Sequence, residues 1–92
     1  MFFKPPPPIR DKAHLKRVSE MPCCICCIDP GGVAHHLLRT DEKCAARKSG
    51  DDKTIPLCHD DHDALHRAGD EIEFLASHGI TKPVEYALSL YQ

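Results

Sequence analysis

The sequence predicts a small α+β domain, a two-stranded antiparallel ribbon packed on one helix with flanking helices and a bound metal. Three observations point there. The chain has 92 residues, enough for one domain but of a size that buries little surface and often needs a staple. Two short apolar runs, at 33–38 and 54–57, sit between turn signals and read as strands, while the remaining ordered segments carry helical spacing. Cysteines and histidines recur at metal-ligand spacings. With no Trp and only 5% aromatic residues, the core is expected to be modest and supplemented by a structural ion.

In chain order, residues 5–8 are all Pro, so residues 1–10 are expected to form a flexible extended arm. Residues 11–92 are expected to form one domain. Segment 11–20 reads as a helix with Asp11 at its start and Pro22 beyond its end; Ala13, Leu15 and Val18 are its expected inner contacts. The run Pro22-Cys23-Cys24-Ile25-Cys26-Cys27 is a knuckle, followed by the turn signal Asp29-Pro30-Gly31-Gly32. Val33 to Leu38 forms the first strand and 39–53 a long polar loop. Thr54 to Leu57 forms the second strand, where Pro56 suits an edge or terminal position. Helices are expected over 59–68 and from Asp70 to Ser77, with Gly69 and Gly79 as their stops. The last helix spans 82–92, with Val84, Ala87, Leu88 and Tyr91 on one face.

Net charge is −2, but its distribution is uneven. Residues 1–53 carry 10 Lys/Arg and 7 Asp/Glu, a net of +3; residues 54–92 carry 2 and 7, a net of −5. The basic half offers a phosphate-facing side. No run approaches membrane-spanning length and none resembles a secretory leader. Six cysteines would suit a disulfide framework in a secreted domain, but their metal-ligand spacing favours a reduced, cytoplasmic protein.

Two ligand sets stand out. Cys23-x2-Cys26 and the overlapping Cys24-x2-Cys27 both have zinc-knuckle spacing. Cys58 supplies a further ligand, and Asp61, three residues on, is the natural fourth. Separately, His62 and His66 stand at i,i+4 and share one helix face, so they can grip one ion. The adjacent His35 and His36 on a strand send their rings to opposite faces. One can then help hold the ion while the other reaches a substrate. This pattern points to a metal-dependent hydrolase, and more narrowly to a nuclease.

The order Cys-x2-Cys, His-His, long loop, strand, Cys, His-x3-His resembles the HNH endonucleases, whose core is a ββα-metal (His-Me finger) motif. The phrases HHLLR, GD, PLC and HDALHRAGDE are most similar to a phage and prophage branch that includes RecA-dependent phage nucleases. The matching segment runs from about Lys12 to Phe74, most of the chain. The resemblance implies hydrolysis of DNA phosphodiester bonds in phage or prophage DNA processing or recombination. His36 would be the general base. His35 and His62 would hold the catalytic divalent ion (Mg2+, Mn2+, Zn2+ or Ni2+), with His66 as a third ligand or a phosphate contact. Cys23, Cys26, Cys58 and Asp61 would hold a structural Zn2+. Arg39, Lys48 and Lys53 are candidate phosphate contacts. DNA is the implied partner, together with a recombinase or another DNA-processing protein. The chain departs from the pattern at three places. It contains no Asn to orient the base, and Asp51 or Asp52 is the candidate replacement. Asp61 stands where the branch usually has His, and Cys44-Ala45-Ala46 stands in place of a Gly-rich loop.

Two other readings compete. One is a zinc-bound nucleic-acid-binding module with a degenerate nuclease fold, although such a reader would want a more basic helix than 59–68. The other is a disulfide or redox protein, which leaves the histidine pattern unexplained.

Overall fold

In a computed structural model the described residues are 9–38 and 50–91. They form α1 (Lys12–Glu20), β1 (Gly32–His36), β2 (Thr54–Cys58), α2 (His59–Ala68), α3 (Glu71–Ser77) and α4 (Pro83–Leu90). The fold is a small α+β arrangement, with one two-stranded sheet and four helices among the described residues. No helix among them is long and apolar enough to cross a membrane.

β1 and β2 pair antiparallel, with Val33 opposite Leu57, His35 opposite Ile55 and His36 opposite Thr54. Alternation along a strand then sorts the side chains. Val33, His35, Ile55 and Leu57 share one face; Ala34, His36, Thr54 and Pro56 share the other. On the first face Ile55 and Leu57 join Leu65 of α2, Leu75 of α3 and Ala87 of α4 in the main buried cluster, with Cys23 and Leu37. α1 also packs on both strands, and its buried residues are His14 and Val18.

Local chemistry sets the helix ends. Asp11 caps α1, its Oδ1 accepting from the His14 backbone N at 3.0 Å. Gly69 ends α2 at φ +82°, a left-handed conformation that suits Gly. Asp70 caps α3 by accepting from the Glu73 N. Gly31, between the knuckle and β1, is closely packed: a Cβ there would meet Leu57 O at 3.1 Å and Met21 O at 3.2 Å.

Several details differ from the sequence expectation, while Pro56 meets its own, since each strand of a two-stranded sheet is an edge strand. In α1 the inner position belongs to His14 rather than Ala13, which is exposed. His14 is fully buried and Tyr91 stands edge-on to its ring at 4.7 Å. α1 is therefore rotated toward the start of β2 and the C-terminal residues, contacts that helical spacing alone cannot show. α4 is shorter than expected and leaves Leu88 42% exposed. Pro56 lies in the middle of an edge strand. Its carbonyl accepts from Cys24 N at 3.0 Å, so its backbone polar edge turns away from β1 and its missing N–H costs the ladder nothing. At the end of the expected arm, Ile9 O accepts from Asp51 N at 2.8 Å. The tetraproline run and the greater part of the 39–53 loop lie outside the described residues.

Two donor clusters and a histidine–aspartate pair

The first cluster joins the knuckle to the junction of β2 and α2. The knuckle is a tight turn. Cys27 N donates to Cys23 O and Ile25 N donates to Cys23 Sγ at 3.5 Å. Cys27 itself adopts φ +66°. This turn points Cys23 and Cys26 toward Cys58, the N-cap residue of α2, whose Sγ accepts from Asp61 N at 3.4 Å. The donor atoms of Cys23, Cys26, Cys58 and Asp61 lie within 4.8 Å of one another.

The spacings suit a tetrahedral ion. Cys26 and Cys58 Sγ are 3.7 Å apart, and Asp61 Oδ2 is 3.3 Å from Cys23 Sγ and 3.2 Å from Cys58 Sγ. Tetrahedral zinc, with bonds of about 2.3 Å to sulfur and about 2.0 Å to oxygen, has edges of roughly 3.8 Å between sulfurs and about 3.5 Å from sulfur to oxygen. The groups also constrain each other's charge. For the Cys58 thiol, the Asp61 N–H favours the thiolate, but desolvation and the Asp61 carboxylate prevail and push it up to about 12. Asp61 responds oppositely: desolvation would raise its carboxyl, but donation from Cys58, Cys23 and Cys26 holds it below the usual carboxylate range. Gathering so much potential negative charge at one point is unfavourable without a cation, and a divalent cation removes that conflict.

Between the overlapping Cys pairs the fold distinguishes clearly. Cys24 is directed to the core, where burial foremost and Cys23 beside it raise its thiol to about 12. Cys27 is exposed and belongs to neither cluster among the described residues. Cys44 lies outside the described residues.

The second cluster is built from β1 and α2. His35, 3% exposed, meets His62 and His66, with ring centroids 5.1 and 5.7 Å away. The Nε2 atoms of His62 and His66 are 3.1 Å apart, as the i,i+4 spacing of a helix allows. Donor atoms of all three lie within 4.8 Å of one another. Burial and then the neighbouring His35 and His66 lower the His62 pKa, which favours the neutral ring that a metal requires. Both clusters can hold a metal ion.

His36 stands outside the second cluster, on the other face of the ribbon. Its Nε2 is 2.8 Å from Asp51 Oδ1, and its side chain is 33% exposed. Asp51 is a hub: its Oδ2 accepts from Asp11 N at 2.7 Å, and Arg10 lies 3.5 Å from its Oδ1. Desolvation would raise this carboxyl, but the hydrogen bonds from His36 and Asp11 N hold it below the usual range. An ionised Asp51 only accepts, so His36 donates through Nε2, and in a neutral ring Nδ1 then carries the lone pair.

Asp52 does not reach His36 in this arrangement. Its Oδ2 lies 3.4 Å from Lys53 Nζ, and its Oδ1 is buried with no hydrogen-bond partner among the described residues. Lys53 is correspondingly only 17% exposed in its side chain. Arg39 and Lys48 lie outside the described residues. A residue that spacing did not single out is Glu71, whose Oε1 sits 2.7 Å from His35 Nε2. It stands 36 positions away in sequence, in a helical first turn where an acidic residue is ordinary, so no local signal marks it.

A family model described as "Protein of unknown function (DUF968)" matches residues 1–90. No curated protein matches the chain, and no solved structure does. With its match extending over nearly every residue, including both donor clusters and the His36–Asp51 pair, the chain belongs to the DUF968 family.

Proposed function

We propose that this chain is a metal-dependent endonuclease that hydrolyses DNA phosphodiester bonds, with β1, β2 and α2 forming a ββα-metal core. One observation carries the reading. A histidine oriented by a carboxylate, His36 on Asp51, adjoins in sequence a histidine that completes a three-imidazole cluster. A strand with those two residues offers a proton acceptor on one side and an ion site on the other. Phosphodiester hydrolysis asks for both functions.

Water attacking phosphorus must lose a proton. His36 Nδ1 accepts it, while Asp51 keeps the proton on Nε2 and balances the imidazolium that results. The new bond joins the water oxygen to phosphorus. The bond to the departing ester oxygen breaks with its electron pair going to that oxygen, which is then protonated. An ion held by His35, His62 and His66 would supply positive charge against the phosphate oxygens. Three neutral imidazoles suit a transition ion such as Zn2+, Mn2+ or Ni2+ without excluding Mg2+. Cys23, Cys26, Cys58 and Asp61 would hold a structural Zn2+ in this reading. DNA is then the partner, and the basic residues of the N-terminal half contribute to its phosphate contacts.

The test is nicking of supercoiled plasmid and cleavage of single-stranded DNA by the purified protein with EDTA, Mg2+, Mn2+ or Zn2+, beside His36→Ala. We expect metal-dependent cutting that falls about 100- to 10,000-fold in the variant, with fold and Cys-site ion unchanged. Full activity in His36→Ala would remove His36 as the base. A wild type that cuts nothing with any ion, while keeping the ion of its Cys site, would favour a binding module.

A further inference from the structure

We propose that Glu71 is the positioning residue of the three-histidine cluster: it holds His35 through Nε2, so that Nδ1 faces the ion, and its buried charge strengthens ion binding. The proposal rests on the reading of that cluster as an ion site.

The Glu71 side chain is 1% exposed and His35 beside it 2%. Its Oε1 contacts His35 Nε2 at 2.7 Å, a length typical of a charge-assisted bond. Leu38 N donates to both oxygens, at 3.1 Å to Oε1 and 2.9 Å to Oε2. The Leu38 N–H shared between the two oxygens suits the ionised carboxylate, and an ionised Glu71 only accepts, so His35 donates to it and its Nε2 carries the hydrogen. Only Nδ1 then has a lone pair for a cation. The Leu38 contact also fixes the carboxylate relative to the end of β1, so the imidazole has a defined orientation before any ion arrives.

Burial penalises the Glu71 charge, and the His35 ring and Leu38 N help to offset that cost. A divalent cation on the far side of the same ring would offset it further. The imidazole then lies between cation and anion, its basicity raised by the carboxylate, as in other carboxylate–histidine–metal arrangements. Glu71 thereby couples three elements, since α3 holds the ring on β1 that meets the two rings on α2.

The experiment titrates Co2+ into the full chain, its Cys site loaded with Zn2+, and follows the ligand-field absorption for wild type and Glu71→Gln. Gln can keep an acceptor toward His35 but has no charge. We expect Glu71→Gln to bind Co2+ about 10- to 100-fold more weakly, with a melting temperature close to wild type in the absence of Co2+. In the same preparations, 15N NMR of the His35 ring should show the Nε2–H tautomer in the ion-free wild type. Equal Co2+ affinity in the two proteins would overturn the role of Glu71 while leaving the ion site intact. So would an Nδ1–H tautomer of His35. If Gln unfolds the chain, the tautomer of the wild type decides. A wild type that takes up no Co2+ would overturn the ion site and the proposal together.

Discussion

At the scale of single residues, Asp51 shows how one carboxylate can serve fold and site at once. It gathers His36, Asp11 N and Arg10, three contacts from two distant parts of the chain. Its folded pKa lies below its ordinary value. A depressed carboxyl contributes stability that is present above the unfolded pKa, about 3.9, and is lost as pH falls through the folded pKa. Asp51→Asn keeps an acceptor for His36 but has no proton to titrate. Urea unfolding of the two proteins should therefore differ most above about pH 4 and converge in stronger acid. Parallel profiles at every pH would show that Asp51 contributes no titration-linked stability. His14 is the contrasting case. Burial, followed by Arg17, lowers its pKa, and its Nε2 has no hydrogen-bond partner among the described residues.

At the scale of elements, α2 joins the two donor clusters. Its first turn carries Cys58 as cap and Asp61, and its outer turns carry His62 and His66. Leu65, 2% exposed, is the buried residue that seats this helix in the core. Leu65→Ala should destabilise the fold by about 2–5 kcal/mol, read by urea denaturation. Since the same residue seats α2 against β1, ion uptake by the histidines should weaken in parallel. Cys58→Ser removes a candidate ligand and alters the cap of α2, so, if the cluster holds a structural ion, it should abolish cooperative thermal unfolding. A melting temperature equal to wild type would count against a structural ion there. Removing the cap of α3 by Asp70→Ala should cost about 0.5–2 kcal/mol. That loss is smaller because Asp70 belongs to neither donor cluster.

At the scale of the whole molecule, the buried apolar cluster among the described residues is small. It includes Cys23 and Ala87 beside a few leucines and one isoleucine. With an ion bound, the Cys cluster would bridge regions far apart in sequence: Cys26 lies 32 positions from Cys58, and Cys23 lies 38 from Asp61. In a chain of this size, ion-binding energy is folding energy. Stripping the ion with a strong chelator should therefore lower the melting temperature sharply, and adding Zn2+ back should restore it, as followed by circular dichroism. An unchanged melt after verified ion loss would mean that the apolar core suffices alone.

The sequence by itself determined what local geometry controls. The Cys-x2-Cys spacing, the i,i+4 histidines, the cap at Asp11 and the alternation that parts His35 from His36 depend only on turn, helix and strand repeats. Element order and type were legible for the same reason. Tertiary structure decided the choices that no local repeat can make. It brought Cys23 and Cys26 to Cys58 and turned Cys24 into the core. It set Asp51 on His36 and Asp52 beside Lys53. It also delivered Glu71 to His35 across 36 positions. Spacing fixes the direction a side chain leaves its own element, but which distant group meets it depends on how the helices pack against the ribbon.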